Sequence, residues 1–277
     1  MDFPPHTVPF FLAARSGQLF CLFRSPQSDK KPKNQVLIVP PFAEEMNKSR
    51  RMFSLLANAL VNQGQGCLLV DLYGTGDSAG DFVDARWENW REDIIDSLRW
   101  MKSHGAEEIS IVALRMGALI ALDVLQDAKL NLRRVVLWQP ISNGKLMLSQ
   151  FLRIRLAANL FSSNQEKETS KGLMQRLEQG QSVEVGGYEL SADLYKAISN
   201  LSVSSFATEG YPPIHWIDVT NSPDAELSLA SKKQIKEWRS RHVKITEMIQ
   251  RGEPFWSLQE INVIPALIDS TRYILRS

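Results

Sequence analysis

Residues 109–122 read ISIVALRMGALIAL. A continuous apolar run, as a strand buried on both faces requires, ends at residues 113–114. An apolar helix-forming run begins at once behind Gly117. Two small residues, Ala113 and Gly117, bracket the turn and allow strand and helix to approach closely. A strand, a sharp turn and a helix in this order display the central residue at the strand's C-terminal end, beside a helix N-terminus. In the G-x-S-x-G form of that turn the centre is a nucleophilic serine. Here it is Arg115, followed by Met116.

Outward from this turn, strand-like and helix-like segments alternate. Residues 9–14 and 18–24 flank Arg15-Ser16-Gly17 and predict a β-hairpin. Short apolar runs at 35–40 (QVLIVP), 66–71 (GCLLVD), 108–113 (EISIVA) and 133–138 (RRVVLW) predict buried strands. Residues 214–219 and 243–248 predict two more. Helical periodicity appears at 49–62, 87–102, 117–126, 229–238 and 258–275. Repeated strand–helix units with apolar strands predict an α/β architecture, a mostly parallel sheet covered by helices on both faces. The rhythm stops between residues 142 and 210, a polar stretch with helical patches at 146–161 and 191–200. It is expected to be a helical lid insertion within one domain spanning residues 1–277.

Asp71-Leu-Tyr-Gly74-Thr-Gly76-Asp77-Ser78-Ala79-Gly80 forms a glycine-rich loop behind the second buried strand. Gly76–Gly80 also fits G-x-S-x-G, which makes Ser78 a candidate nucleophile. No helix follows directly, however, so a tight loop with Ser78 in a local hydrogen bond is the competing expectation. The spacing is no dinucleotide fingerprint, and neither a cofactor nor a metal is expected.

These segments resemble the α/β-hydrolase superfamily over nearly the whole chain. The loop at 71–80 is similar to that family's D-x-x-G-x-G-x-S-x-G, and Pro41-Phe42 stand where an oxyanion loop belongs. More narrowly, VLIVPPFAEEMNKSRR (36–51), LVDLYGTGDSAGDF (69–82), ALRMGALIALD (113–123), VVLWQPISNGKLMLSQFLRIRLAANL (135–160) and GEPFW (252–256) resemble the second hydrolase associated with the exosortase A system. Such proteins are encoded beside exopolysaccharide-biosynthesis genes. The resemblance implies an ester or thioester hydrolase lineage.

The chain departs from that lineage where chemistry is concerned. A serine hydrolase needs a nucleophile, a His to take its proton and a carboxylate to orient the His. A guanidinium cannot be deprotonated in proteins and accepts no hydrogen bond, so Arg115 serves as neither nucleophile nor base. The four histidines, His6, His104, His215 and His242, all precede the loop after the last strand. That loop reads IQRGEPFW, with Phe255-Trp256 near the expected His. Candidates for a carboxylate are Asp218 and Asp224 after strand 214–219, and Glu253. Losing a triad nucleophile alone costs about a millionfold in kcat.

Arg115 beside a helix N-terminus can hold an anion, such as a phosphate or carboxylate. Residues 145–176 carry six Lys/Arg against two Glu, and Arg153 and Arg155 would add charge if that segment folds over the sheet edge. The opposing expectation is an internal pair of Arg115 with Glu44 or Glu45, in the loop after the first buried strand. Met116, Phe42 and Trp256 complete the expected ligand-binding set. The helix at 145–161 is rich in Leu, Met and Phe with cations among them, a composition compatible with a membrane surface but more usual for covering a pocket.

The chain has 277 residues, 44% hydrophobic and 23% charged, with a formal net charge of +1. This is ordinary for a folded protein and gives no global attraction to nucleic acid. Cys21 and Cys67 lie in strand-like runs and are expected to be buried thiols. No run of about 20 apolar residues is present. The N-terminal segment lacks a basic region before its short apolar stretch, and a cytoplasmic location is expected. Two functions remain open: a drifted ester or thioester hydrolase using Glu44, Glu45 or Glu253 as base toward water, or a non-catalytic relative binding an anionic or acyl small molecule or a protein partner.

Overall fold

Side chains along strand Glu108–Leu114 alternate between two buried clusters. Ile109, Ile111 and Ala113 enter one, Val112 and Leu114 the other. This strand is therefore covered on both faces, which explains its unbroken apolar sequence. The computed structural model describes residues 6–28, 31–127, 130–159, 168–206, 209–222, 224 and 226–276.

In chain order the elements are β1 (His6–Ala13), β2 (Gln18–Ser25), β3 (Asn34–Val39), α1 (Glu44–Val61), β4 (Gly66–Val70), α2 (Trp87–Ser103), β5 (Glu108–Leu114), α3 (Gly117–Val124) and β6 (Arg134–Trp138). There follow α4 (Gly144–Asn159), α5 (Ser170–Glu178), β7 (Val183–Val185), β8 (Tyr188–Leu190) and α6 (Ala192–Ser199). The chain closes with β9 (Ile214–Thr220), α7 (Leu229–Ser240), β10 (Ile245–Arg251) and α8 (Pro265–Arg276). Eight strands form one sheet in the order β1-β2-β4-β3-β5-β6-β9-β10. β2 runs antiparallel to β1 and β4, and the strands from β4 to β10 are mutually parallel. This is the α/β-hydrolase fold. No helix among the described residues is long and apolar enough to cross a membrane. Cys21 and Cys67 are buried and free.

α1 and α8 cover one face, where Met52, Leu56 and Leu267 join the sheet residues Ile38, Val136 and Trp138. α2, α3 and α7 cover the other through Trp90, Ile94, Ile120 and Trp238. In the segment between β6 and β9, α4, α5 and α6 belong to this second face. Leu148, Leu152, Leu173, Leu194 and Ile198 are fully or almost fully buried in the same cluster as Trp90. It also contains a hairpin, β7–β8, that the sequence reading did not anticipate. Phe151 of α4 packs edge-on against Phe42, ring centroids 5.0 Å apart. The insertion is thus fused to the core along α4.

Candidate functional site

The turn between β5 and α3 has the geometry its sequence predicts. Gly117 has no room for a side chain: a Cβ there would stand 2.6 Å from the Pro40 carbonyl oxygen and 2.8 Å from that of Val39. α3 therefore lies directly against the end of β3. Arg115 adopts φ 55°, in the left-handed region that costs a non-glycine residue about 1–2 kcal/mol. Flanking hydrogen bonds hold it there, its N–H donating to Trp138 O at 3.0 Å and its carbonyl accepting from Ala118 and Ile141. Ala43, which precedes α1, is also at positive φ, 50°. Strained backbone thus flanks the site on both sides.

α1 begins five residues earlier than its periodicity predicts, and this places Glu45 in its first turn, facing Arg115. The guanidinium donates from Nε to Oε1 at 3.2 Å, and Nη2 stands 3.1 Å from the same oxygen as an ion pair. The two side chains retain only 15% and 22% of their exposure. Of the two sequence expectations for Arg115, the internal pair with Glu45 is the one formed. Glu45 Oε2 is buried and has no hydrogen-bond partner among the described residues. Burial pushes the Glu45 carboxyl above the usual carboxylate range, and the adjacent guanidinium opposes that shift. On its other side Arg115 meets Trp256, whose ring centroid lies 5.4 Å from the guanidinium carbon, a cation–π contact. Trp256 is fixed in turn by Phe255, which is fully buried against Trp138.

The pair does not seal the site. A cavity of about 320 Å³ lies above it, lined by Phe42, Glu44, Glu45, Arg115 and Trp256. All five were singled out from sequence. α4 supplies the opposite wall through Met147, Gln150, Phe151 and Ile154, and Ser257 completes the rim. The α4 residues carry no motif that singles them out in the sequence, although their spacing marks one face of a helix. Glu44 is exposed at the mouth, where it accepts a hydrogen bond from Tyr188 of β8 at 3.3 Å. Tyr188 also accepts from Asn47 at 3.0 Å, so the β7–β8 hairpin is tied to α1 beside the cavity.

Other predicted residues lie elsewhere. Met116 is fully buried in the core beneath the turn. Arg153 is exposed on α4, along with Lys145, Leu146 and Ile154. Arg155 is committed within the insertion: Nε and Nη2 grip Glu168 at 2.6 and 3.0 Å, and Nη1 donates to Glu184 O at 2.8 Å. The expectation that Arg153 and Arg155 add charge at the turn is therefore corrected. Ser78 Oγ donates to Asp71 O at 2.6 Å and accepts from Phe20 N–H at 2.8 Å, which ties the glycine-rich loop to β2. Asp218 is buried on the side facing α7, accepting from Trp216 Nε1, Ser231 Oγ and Ser228 N–H at 2.8, 3.0 and 3.1 Å. Asp224 is exposed, and Glu253 accepts from Asn221 at 3.1 Å at the surface. None of these lines the cavity, and none of the four histidines does. The Ser257 hydroxyl donates to Pro254 O. The residues around the cavity thus supply hydrogen bonds, apolar contact and two carboxylates, Glu44 and Glu45, without a paired nucleophile and His.

The fold recurs in solved structures. Est1E from Butyrivibrio proteoclasticus, with ferulic acid bound, superposes with a TM-score of 0.68 at 13% identity, covering 96% of this chain and 97% of that one. A hyperthermophilic esterase from the archaeon Pyrobaculum calidifontis gives 0.62 at 13% identity, covering 98% and 85%. A protein from Agrobacterium vitis gives 0.57 at 18% identity, covering 99% and 98%. Among curated proteins, an acyl transferase from Vibrio harveyi is 24% identical over 128 residues, 45% of this chain. The match spans 41% of that relative's length. The family model described as serine aminopeptidase, S33, matches residues 30–183, more than half of the chain. The chain belongs to this serine aminopeptidase S33 family of α/β-hydrolases.

Proposed function

We propose that this chain is a non-catalytic α/β-hydrolase relative that holds a short acyl or aryl chain in the cavity above Arg115. One observation carries the reading: the position from which the lineage's nucleophile acts is occupied by a guanidinium bonded to Glu45 and seated on Trp256, under an open, largely apolar cavity. Phe42, Met147, Phe151 and Ile154 give the wall an apolar chain requires. Partial likeness to an acyl transferase supports an acyl ligand. Resemblance of the five segments quoted above supports a role beside exopolysaccharide biosynthesis in an exosortase A system, and the N-terminal segment, without a basic region before its short apolar stretch, supports a cytoplasmic location. An ester or thioester hydrolase using Glu45 as base toward water is the competing reading, favoured by the unpartnered Oε2.

Calorimetric titration with short-chain alkyl ligands tests the proposal. Saturable binding to the wild type is expected. It should weaken at least about tenfold in Ile154→Arg, which replaces the apolar contact of a half-exposed wall residue with a hydrated cation. Absence of binding, or binding that Ile154→Arg leaves unchanged, would overturn it.

A further inference from the structure

A second cavity, of about 430 Å³, lies at the opposite end of the sheet from Arg115, where the chain enters β3. It forms between the β1–β2 hairpin and the last turn of α2. Period-2 alternation sets Val8 and Phe10 on one face of the hairpin, and Phe23 stands directly opposite Val8 in the register. Trp100 of α2 packs against them. Its ring stacks on Phe10 at a centroid distance of 4.5 Å and meets Phe23 edge-on at 5.3 Å. One turn on, His104 stacks on Trp100 at 4.1 Å, and its Nδ1 donates to Trp100 O at 2.8 Å. The chain leading into β3 supplies the remaining wall. Pro32 and the Phe23 ring stand so close to Gly66 that a Cβ there would come within 2.9 and 3.1 Å of them. The stem of Lys31 lies along Gly105, where a Cβ would be 3.2 Å from Lys31 Cδ.

Phe10, Phe23 and Trp100 are half-buried, and their mutual contacts fix them in place. Such a preformed aromatic wall suits a flat apolar ligand, and the volume falls within the range of small-molecule sites, about 300–1,000 Å³. Charge sets the rest. Among the described residues lining the cavity none is acidic, whereas Lys31 is exposed at its rim. Lys31 forms no ion pair among the described residues. Its ammonium rides on a flexible four-carbon stem, so an anion at the mouth is within reach without any change in the wall. Ser25 and Ser28 bring hydroxyls to the same lining. No lining residue is shared with the cavity above Arg115.

We propose that this second cavity binds an aromatic carboxylate, its ring against Phe10, Phe23 and Trp100 and its carboxylate turned to Lys31 at the mouth. The site is separate from the cavity above Arg115 and does not depend on the acyl-binding reading.

The full chain carrying Ile154→Arg, which impairs the cavity above Arg115, is titrated with 2-naphthoate and 2-naphthamide. Binding is followed by calorimetry and by the indole N–H resonances in NMR spectra, that of Trp100 being identified by its loss in Trp100→Phe. Saturable binding of naphthoate that shifts the Trp100 resonance is expected. Naphthamide should bind about two- to fivefold more weakly, the worth of one exposed ion pair, and Lys31→Ala should abolish that difference. Val8→Glu sets a carboxylate in the wall at a residue 37% exposed, and should weaken naphthoate at least about tenfold. Absence of saturable binding, an unmoved Trp100 resonance, or binding that Val8→Glu leaves unchanged overturns the site. Naphthamide binding as tightly as naphthoate, or a preference that persists in Lys31→Ala, overturns the assignment of a carboxylate to it.

Discussion

Removing the carboxylate beneath Arg115 leaves a guanidinium whose remaining neighbour is Trp256, 5.4 Å away, and takes from it the hydrogen bond and the ion pair to Oε1. Breaking a fully buried pair costs about 3–5 kcal/mol, and a surface pair contributes about 0–1 kcal/mol. With 15% and 22% of the side chains exposed, solvent screens the orphaned charge only in part. Glu45→Ala is therefore expected to cost about 2–3 kcal/mol. Arg115→Ala should cost less, about 1–2 kcal/mol, because the abandoned Glu45 can take a proton. The double variant carries no orphaned charge, so its cost should fall short of the sum by about 1–2 kcal/mol. A second comparison isolates the backbone. At φ 55° glycine avoids the penalty borne by alanine, so Arg115→Gly should be about 1 kcal/mol more stable than Arg115→Ala. Urea unfolding followed by tryptophan fluorescence measures all four. Additivity within about 0.5 kcal/mol, with the Gly and Ala variants equally stable, would refute both the coupling and the strained turn.

Three further outcomes follow from the packing. Gly117→Ala drives a Cβ to 2.6 Å from backbone oxygen and should lower stability by about 1–3 kcal/mol, measured by the same unfolding. Ser78→Ala removes a hydroxyl that bridges Asp71 O and Phe20 N–H, and should cost about 1–3 kcal/mol while leaving ligand affinity unchanged. Asp93 is fully buried, and burial raises its pKa from 3.8 to about 6 despite hydrogen bonds from Ser16 and Tyr73 N–H. The folded chain then binds this proton more tightly than the unfolded chain. Its contribution to stability is complete below the unfolded value and is lost as pH rises toward 6, by a total on the order of 3 kcal/mol. Asp93→Asn should flatten that slope in unfolding curves taken across the interval.

The central strands were legible because the sheet is covered on both faces, so QVLIVP and EISIVA have no polar alternation to obscure them. β10 reads ITEMIQR and begins two residues later than its pattern predicts; as the outermost strand it keeps most side chains half-exposed. The start of α1 was hidden because Ala43, at φ 50°, replaces the polar cap that usually announces a helix. The β7–β8 hairpin was within reach, since Val183-Glu-Val and Tyr188-Glu-Leu flank a Gly-Gly pair. In the site, Arg115, Glu45, Phe42 and Trp256 were reachable because each lies within a few residues of the C-terminal end of a recognisable strand. Arg155 was misplaced because its partners, Glu168 and Glu184, lie 13 residues or more away within the insertion. Asp218 was misplaced because period-2 alternation turns it toward α7, and no local pattern says which face that helix covers.

Turnover of p-nitrophenyl butyrate and a butyryl thioester by the wild type and by Arg115→Ala bears most directly on whether the Arg115 turn binds or hydrolyses. Neither protein is predicted to exceed the rate in buffer. A wild-type rate well above buffer that disappears in Arg115→Ala would contradict the binding account and make Arg115 part of an active hydrolase.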